Sequence, residues 1–297
     1  MKKIFLIVLF CSLQLIAQSS GQNGLAFLKN GFGARNIAMS DLGVISANDL
    51  SALNYNPALI GIDNKTQLSF SHNSLFQDLS SEMIGASFNM FGLPFAIGVN
   101  TTSISNIEVR TRPGEIEGTF SAHYFYGSIS SASKIYDRIY FGATFKYLYE
   151  NLYSDEANGY AIDLGAAYKD VVDGLSIGAS VKNLGSMNAL RNVSTELPND
   201  LRIGANYEMF FNHFILNTTA GYQKYLGEND SHLHVGAEVV YNQSFALRVG
   251  YASGYDAKNL SAGFGIVLKN LNMDYAYVPV KYGLGDSHII TLTYTFN

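Results

Sequence analysis

A two-residue alternation runs along most of this chain, and it constrains the fold more than any other feature. Between 160 and 168, Tyr160, Ile162, Leu164, Ala166 and Tyr168 alternate with Ala161, Asp163, Gly165 and Ala167. Between 233 and 241, Leu233, Val235, Ala237, Val239 and Tyr241 alternate with His234, Gly236, Glu238 and Val240. Phe245, Leu247, Val249 and Tyr251 do the same against Ala246, Arg248 and Gly250. Leu260, Phe264 and Ile266 stand against Ser261, Gly263 and Gly265, and Ile290, Leu292, Tyr294 and Phe296 against Thr291, Thr293 and Thr295. Successive side chains of a strand point to opposite faces, so each segment has one greasy face and one small or polar face. A soluble barrel would turn the polar set outward. Only 14% of the residues are charged, against ~25% in a soluble domain, so much of this surface is expected to meet lipid. No segment after residue 17 is long and apolar enough for a membrane helix, which needs ~20 such residues. The remaining way through lipid is a closed barrel, the sheet that leaves no edge unpaired there.

The alternating segments number about fourteen, and bacterial outer-membrane barrels carry an even count. The expected fold is all-β, a transmembrane antiparallel β-barrel over residues 65–297. Short connections are expected at Phe91-Gly92, Phe211-Asn212, Asn242-Gln243 and Lys269-Asn270. Long ones are expected at 105–118, 184–200 and 281–286, with medium ones at 74–79 and 154–157. Short periplasmic turns alternating with longer outer loops give the same phase as the hydrophobic pattern.

Residues 1–17 read as a secretory signal peptide. Lys2 and Lys3 form the positive start, 4–13 the apolar centre, and Ala17 the small residue before the cut. Cys11, the one cysteine, lies inside that segment, so the mature chain has no disulfide and no cysteine metal site. Losing the two lysines takes the formal charge from −5 to −7, which argues against a nucleic-acid partner.

Residues 18–64 lack the strand pattern and are expected to form a plug. In 31–61, Gly, Asn and Asp interrupt irregularly spaced apolar residues. Asp49 is placed to cap a short helix over 50–55, and Asn56-Pro57 to start another, with Pro where its missing N–H is harmless. This stretch resembles the N-terminal motif of the PorV/PorQ family of Bacteroidetes outer-membrane proteins, through Gly33-Ala34-Arg35, Ala38-Met39-Ser40, Asp49 and Asn56-Pro57-Ala58. Ser40 stands where that family usually has Gly, and Tyr55 where it often has Trp. The resemblance implies a FadL-like barrel with an N-terminal hatch, Gly33, Arg35, Asp49, Asn56 and Pro57 as structural motif residues, and a role in the type IX secretion system of a Gram-negative bacterium.

Chemistry is thinly represented. There is no Gly-x-Ser-x-Gly elbow, P-loop, dinucleotide fingerprint or His-Glu-x-x-His, and neither an enzyme nor a cofactor is expected. His232, His234 and Glu238 share a strand face, but a zinc site needs three or four converging ligands, so they are expected as lumen and rim residues. Lys146, Asp163, His234, Glu238 and Arg248, with Glu150, are expected to line the lumen, either as a permeation path or paired with each other and the plug. Arg35 and Asp49 are expected to pair together or to anchor the plug. Two functions follow: a non-enzymatic component of secretion that meets other secretion proteins or cargo, or a FadL-like transporter of a hydrophobic small molecule. The second needs an apolar pocket by the plug and a break in the wall, for which 263–265 and 283–285 are the glycine-rich candidates.

Overall fold

The computed structural model describes residues 25–76, 79–192, 195–228 and 230–296. The expected signal peptide and the start of the plug, 18–24, lie outside them.

Fourteen antiparallel strands close into one barrel, β1 (Gln67–Ser74) pairing with both β2 (Leu79–Met90) and β14 (Ser287–Thr295). The others follow in sequence order: β3 (Leu93–Val109), β4 (Gly118–Tyr136), β5 (Ile139–Leu152), β6 (Asp155–Val172), β7 (Leu175–Met187), β8 (Asp200–Phe211) and β9 (Phe214–Tyr225). Then come β10 (Ser231–Tyr241), β11 (Phe245–Ala252), β12 (Leu260–Leu268) and β13 (Leu271–Val278). The faces are oriented as lipid requires: Leu247, Phe264 and Ile290 are 71%, 46% and 48% exposed, while Asp163 and Arg248 are 1% and 8% exposed. The wall is uneven. β3, β4 and β6 run 17 to 19 residues, whereas β11 and β13 have 8 each.

Tight turns at one end alternate with longer connections at the other, with three departures. The β5–β6 connection is the two-residue turn Tyr153-Ser154, because the ladder runs on to Leu152 and Asp155. The 105–118 loop is shorter than expected, since β3 and β4 remain paired out to Val109 and Gly118. β7 does not end before Leu184 but continues to Met187. A bulge there sets Lys182 and Asn183 against Asp163 and buries both, which breaks the two-residue parity of the sequence.

The hatch fills the lumen. It comprises a 3-10 turn (Ala26–Lys29), α1 (Ala34–Ala38), α2 (Ala52–Tyr55), a second 3-10 turn (Pro57–Leu59) and α3 (Ile60–Asp63). These helices are too short to stand alone. Their apolar residues, among them Phe32, Leu42, Val44, Leu53 and Tyr55, bury one another. Inward glycines let them approach the wall: a Cβ on Gly142 would stand 2.4 Å from the Pro57 carbonyl carbon. Gly263 likewise makes room for Ala38, and 263–265 lies in regular ladders on both sides. The glycine-rich pieces proposed as wall breaks are therefore not breaks: 263–265 is ladder and 283–285 is a loop.

Candidate functional site

The distinctive feature inside the barrel is a set of buried charges that fastens the hatch to the wall. α1 presents Arg35 to Glu238 on β10. Arg35 donates from Nε to Oε2 at 2.9 Å and from Nη2 to Oε1 at 2.7 Å, and its Nη1 bonds the Ser46 carbonyl. Glu238 also accepts from Arg248 Nε at 2.6 Å and Asn217 at 3.0 Å, and Arg248 reaches Asp274 on β13 at 2.6 Å. The chain Arg35–Glu238–Arg248–Asp274 joins the hatch to three strands. Gly33 begins α1 with φ of 85°, and a Cβ there would stand 2.6 Å from Ser51 Cβ, so glycine is required.

A second anchor lies on β8. Arg202 is held by Asp200 at 2.9 Å and donates to the carbonyls of Asp41 and Leu42 at 2.6 and 3.0 Å. Gln223 donates from Nε2 to Asp200, its Oε1 faces His234 Nε2 at 3.1 Å as an acceptor, and the other ring nitrogen of His234 meets the Ser40 carbonyl. A third group pairs Lys146 with Asp163 at 2.6 Å, and Asn183 joins both. Asn56 caps the Pro57–Leu59 turn through Ala58 N–H at 3.0 Å, and its amide donates to Val44 and to Ala166 on β6.

The structure thus puts Lys146, Asp163, His234, Glu238 and Arg248 inside the wall and engages each with a partner. Arg35 pairs with Glu238 rather than with Asp49. Asp49 accepts the Ser51 amide on its carboxylate at 2.9 Å and the Ala52 amide on its carbonyl at 3.1 Å, as a cap over 50–55 would, but 50–51 form a turn and the regular helix α2 starts only at Ala52. His232, His234 and Glu238 do not converge: the His232 ring stacks on Tyr255 at 3.7 Å and Glu238 is taken by two arginines. No group of three metal-ligating side chains occurs among the described residues. Asp200, Arg202, Gln223 and Asp274 were not singled out from the sequence. Their inward parity was readable, but their partners depend on strand register, which no local pattern encodes.

Two further features bear on passage. A cavity of about 60 Å³ lies between the hatch and the outer ends of β11–β14, lined by Ile37, Ser40, Tyr255, Leu260, Val278 and Ile289. The β7–β8 ladder stops at Lys182–Asp200 while β7 goes on to Met187.

Residues 50–294 match the family model described as type IX secretion system membrane protein PorP/SprF. No protein of curated function matches. Among solved structures, the fold is similar to a deletion mutant of the monoaromatic hydrocarbon channel TodX (12% identity, 90% of this chain and 99% of that chain, TM-score 0.68). It is also similar to the Ralstonia pickettii toluene transporter TbuX (14%, 90% and 99%, TM-score 0.62) and a Pseudomonas aeruginosa FadL homologue (13%, 90% and 99%, TM-score 0.58). At these identities the likeness concerns the fold alone.

Proposed function

This chain belongs to the type IX secretion system membrane proteins of the PorP/SprF family, and on that premise we propose that it is a non-enzymatic component of, or accessory to, type IX protein secretion. In this reading residues 1–17 are removed on export, and the barrel sits in the outer membrane of a Bacteroidetes-like bacterium. The observation that supports it is the hatch fastened by the buried Arg35–Glu238–Arg248–Asp274 chain. A lumen closed this way leaves the loops and rim as the working surfaces, which meet secretion proteins or cargo. The motif resemblance to PorV/PorQ proteins is a finer reading within the same system. It is carried by Gly33-Ala34-Arg35, Asp49 and Asn56-Pro57, most of which precede residue 50, where the family match begins.

Deleting the gene and assaying surface-exported proteins tests the proposal. Their loss, together with co-purification of a translocon or cargo protein from mild detergent, supports it; unchanged export overturns it. A second reading, transport of a hydrophobic small molecule, is favoured by the early end of the β7–β8 ladder. It expects lipid or a fatty acid to co-purify, and growth on a hydrophobic nutrient to be lost on deletion.

A further inference from the structure

We propose that the outer half of the lumen is a binding site for an extended polypeptide segment carrying an aromatic side chain, which the turn 25–29 occupies in the resting protein. The site is an apolar chamber. Tyr126, Leu148, Ala157, Ala161, Met187 and Leu197 bury Leu25, Phe27 and Leu28, and the Phe27 ring stacks 5.1 Å from Tyr124 and 6.3 Å from Tyr126.

The occupant is held differently from the rest of the hatch. Residues 35–56 are pinned by the buried bonds of Arg35 and Asn56. The Ala26–Lys29 turn has no side-chain cap, and Leu25 enters it at φ of 53°, a conformation that costs a residue with a Cβ. Its ion pair to the wall is Lys29 to Glu228 at 2.5 Å, in the β9–β10 loop, where the lysine is partly exposed. This turn is the part of the hatch most easily displaced.

A strand edge beside the chamber identifies the class of ligand. β7 carries Leu184, Gly185, Ser186 and Met187 beyond its last bridge to β8, and among the described residues their ladder partners are on β6. The segment 195–199 meets β7 through a side chain, the Asn183 amide donating to the Pro198 carbonyl at 3.0 Å, and Pro198 has no N–H to give a ladder. Among the described residues no main-chain hydrogen bond joins the two. Leu184, Gly185 and Ser186 are exposed while Met187 lines the chamber. An unpaired edge with a side-chain pocket behind it takes a peptide strand: the backbone supplies the bonds and the pocket reads a side chain. A hydrocarbon could fill the chamber but could not satisfy the edge.

This inference rests on the secretion reading only for the source of such a segment, an exported protein. Its test uses purified full-length protein bearing Ala26→Cys labelled with an environment-sensitive dye. The probe is a synthetic peptide of the chain's own residues 24–31, GLAFLKNG. Saturable binding should move the dye to a wetter environment, and Phe27→Ser in the protein should tighten binding by roughly a hundredfold by emptying the chamber. Methylating alternate peptide amides, or replacing the peptide's Phe by Ser, should weaken binding at least about tenfold. No saturable shift, equal binding of the methylated peptide, or an equal response to toluene would overturn the proposal. If Phe27→Ser does not yield a heat-modifiable folded band, Lys29→Gln replaces it with an expected gain of about threefold, and the methylated peptide still decides the matter. A negative result here leaves the deletion phenotype untouched, so the two readings fail separately.

Discussion

Glu238 is where the hatch is most vulnerable. Its Oε1 accepts from Arg35 Nη2 and Asn217, and its Oε2 from Arg35 Nε and Arg248 Nε, at 2.6 to 3.0 Å. Removing one member of a buried ion pair costs ~3–5 kcal/mol, because the other is left uncompensated away from water. Arg35→Ala belongs at the low end, since Glu238 keeps Arg248 and Asn217. Glu238→Ala belongs at the high end: Arg35 retains only the Ser46 carbonyl and Arg248 only Asp274. With tenfold per 1.4 kcal/mol, hatch release should rise roughly 100-fold in the first variant and more than 1,000-fold in the second. Planar-bilayer recording reads this directly, as opening frequency of a barrel whose lumen is otherwise filled. The double variant Arg35→Met/Glu238→Gln should fall short of the sum of its parts by ~0.5–3 kcal/mol, as neighbours in one network do. Folded Arg35→Ala and Glu238→Ala barrels as silent as the wild type would refute the reasoning, and so would a larger effect from Arg35→Ala.

Asn56→Ala removes a cap and two bonds to main-chain carbonyls, and should cost ~1–3 kcal/mol, seen as a lower temperature for loss of the heat-modifiable folded band. Gly142→Val puts side-chain atoms where the Pro57 main chain lies, so the barrel should form with a protease-sensitive hatch or not close at all. Val249→Arg, on the outer wall, should destabilise the barrel in lipid by ~2–4 kcal/mol if it lies near the midplane. A small effect in bilayers would deny that this face meets lipid.

The barrel was legible because the alternation is local: each strand states which of its residues face lipid, and fourteen such statements agree. Reading failed where two residues stood opposite one. At Lys182-Asn183 both side chains turn inward, so a rule of strict alternation ends β7 early and misses the segment beyond it. Short hatch helices were legible only where a side chain acts within its own turn. Asn56 with Pro57 does so, and Asp49 does so at Ser51, in the turn that precedes the regular helix. Arg35 could be recognised as a buried charge in need of a partner, but its choice of Glu238 over Asp49 depends on how residues 203 positions apart meet across the lumen.

The fold shared with hydrocarbon channels does not decide what this barrel carries, because a function belongs to a site rather than to a scaffold. Here the site is written in the inner residues of β8, β10, β11 and β13, whose charges all engage the hatch or one another. A transporter lumen of the same architecture needs an apolar path beside its hatch. This lumen holds a cavity of only about 60 Å³ there, room for a few waters by the usual measure. The apolar chamber around Tyr126 and Leu148 is filled by Leu25, Phe27 and Leu28. Passage of a hydrocarbon straight through the lumen would therefore require both the charged anchors and the 25–29 turn to yield. Recognition at the loops and rim requires neither, and recognition in the outer chamber only the turn. That difference in what must be broken is the physical reason to prefer a partner-binding barrel over a conduit.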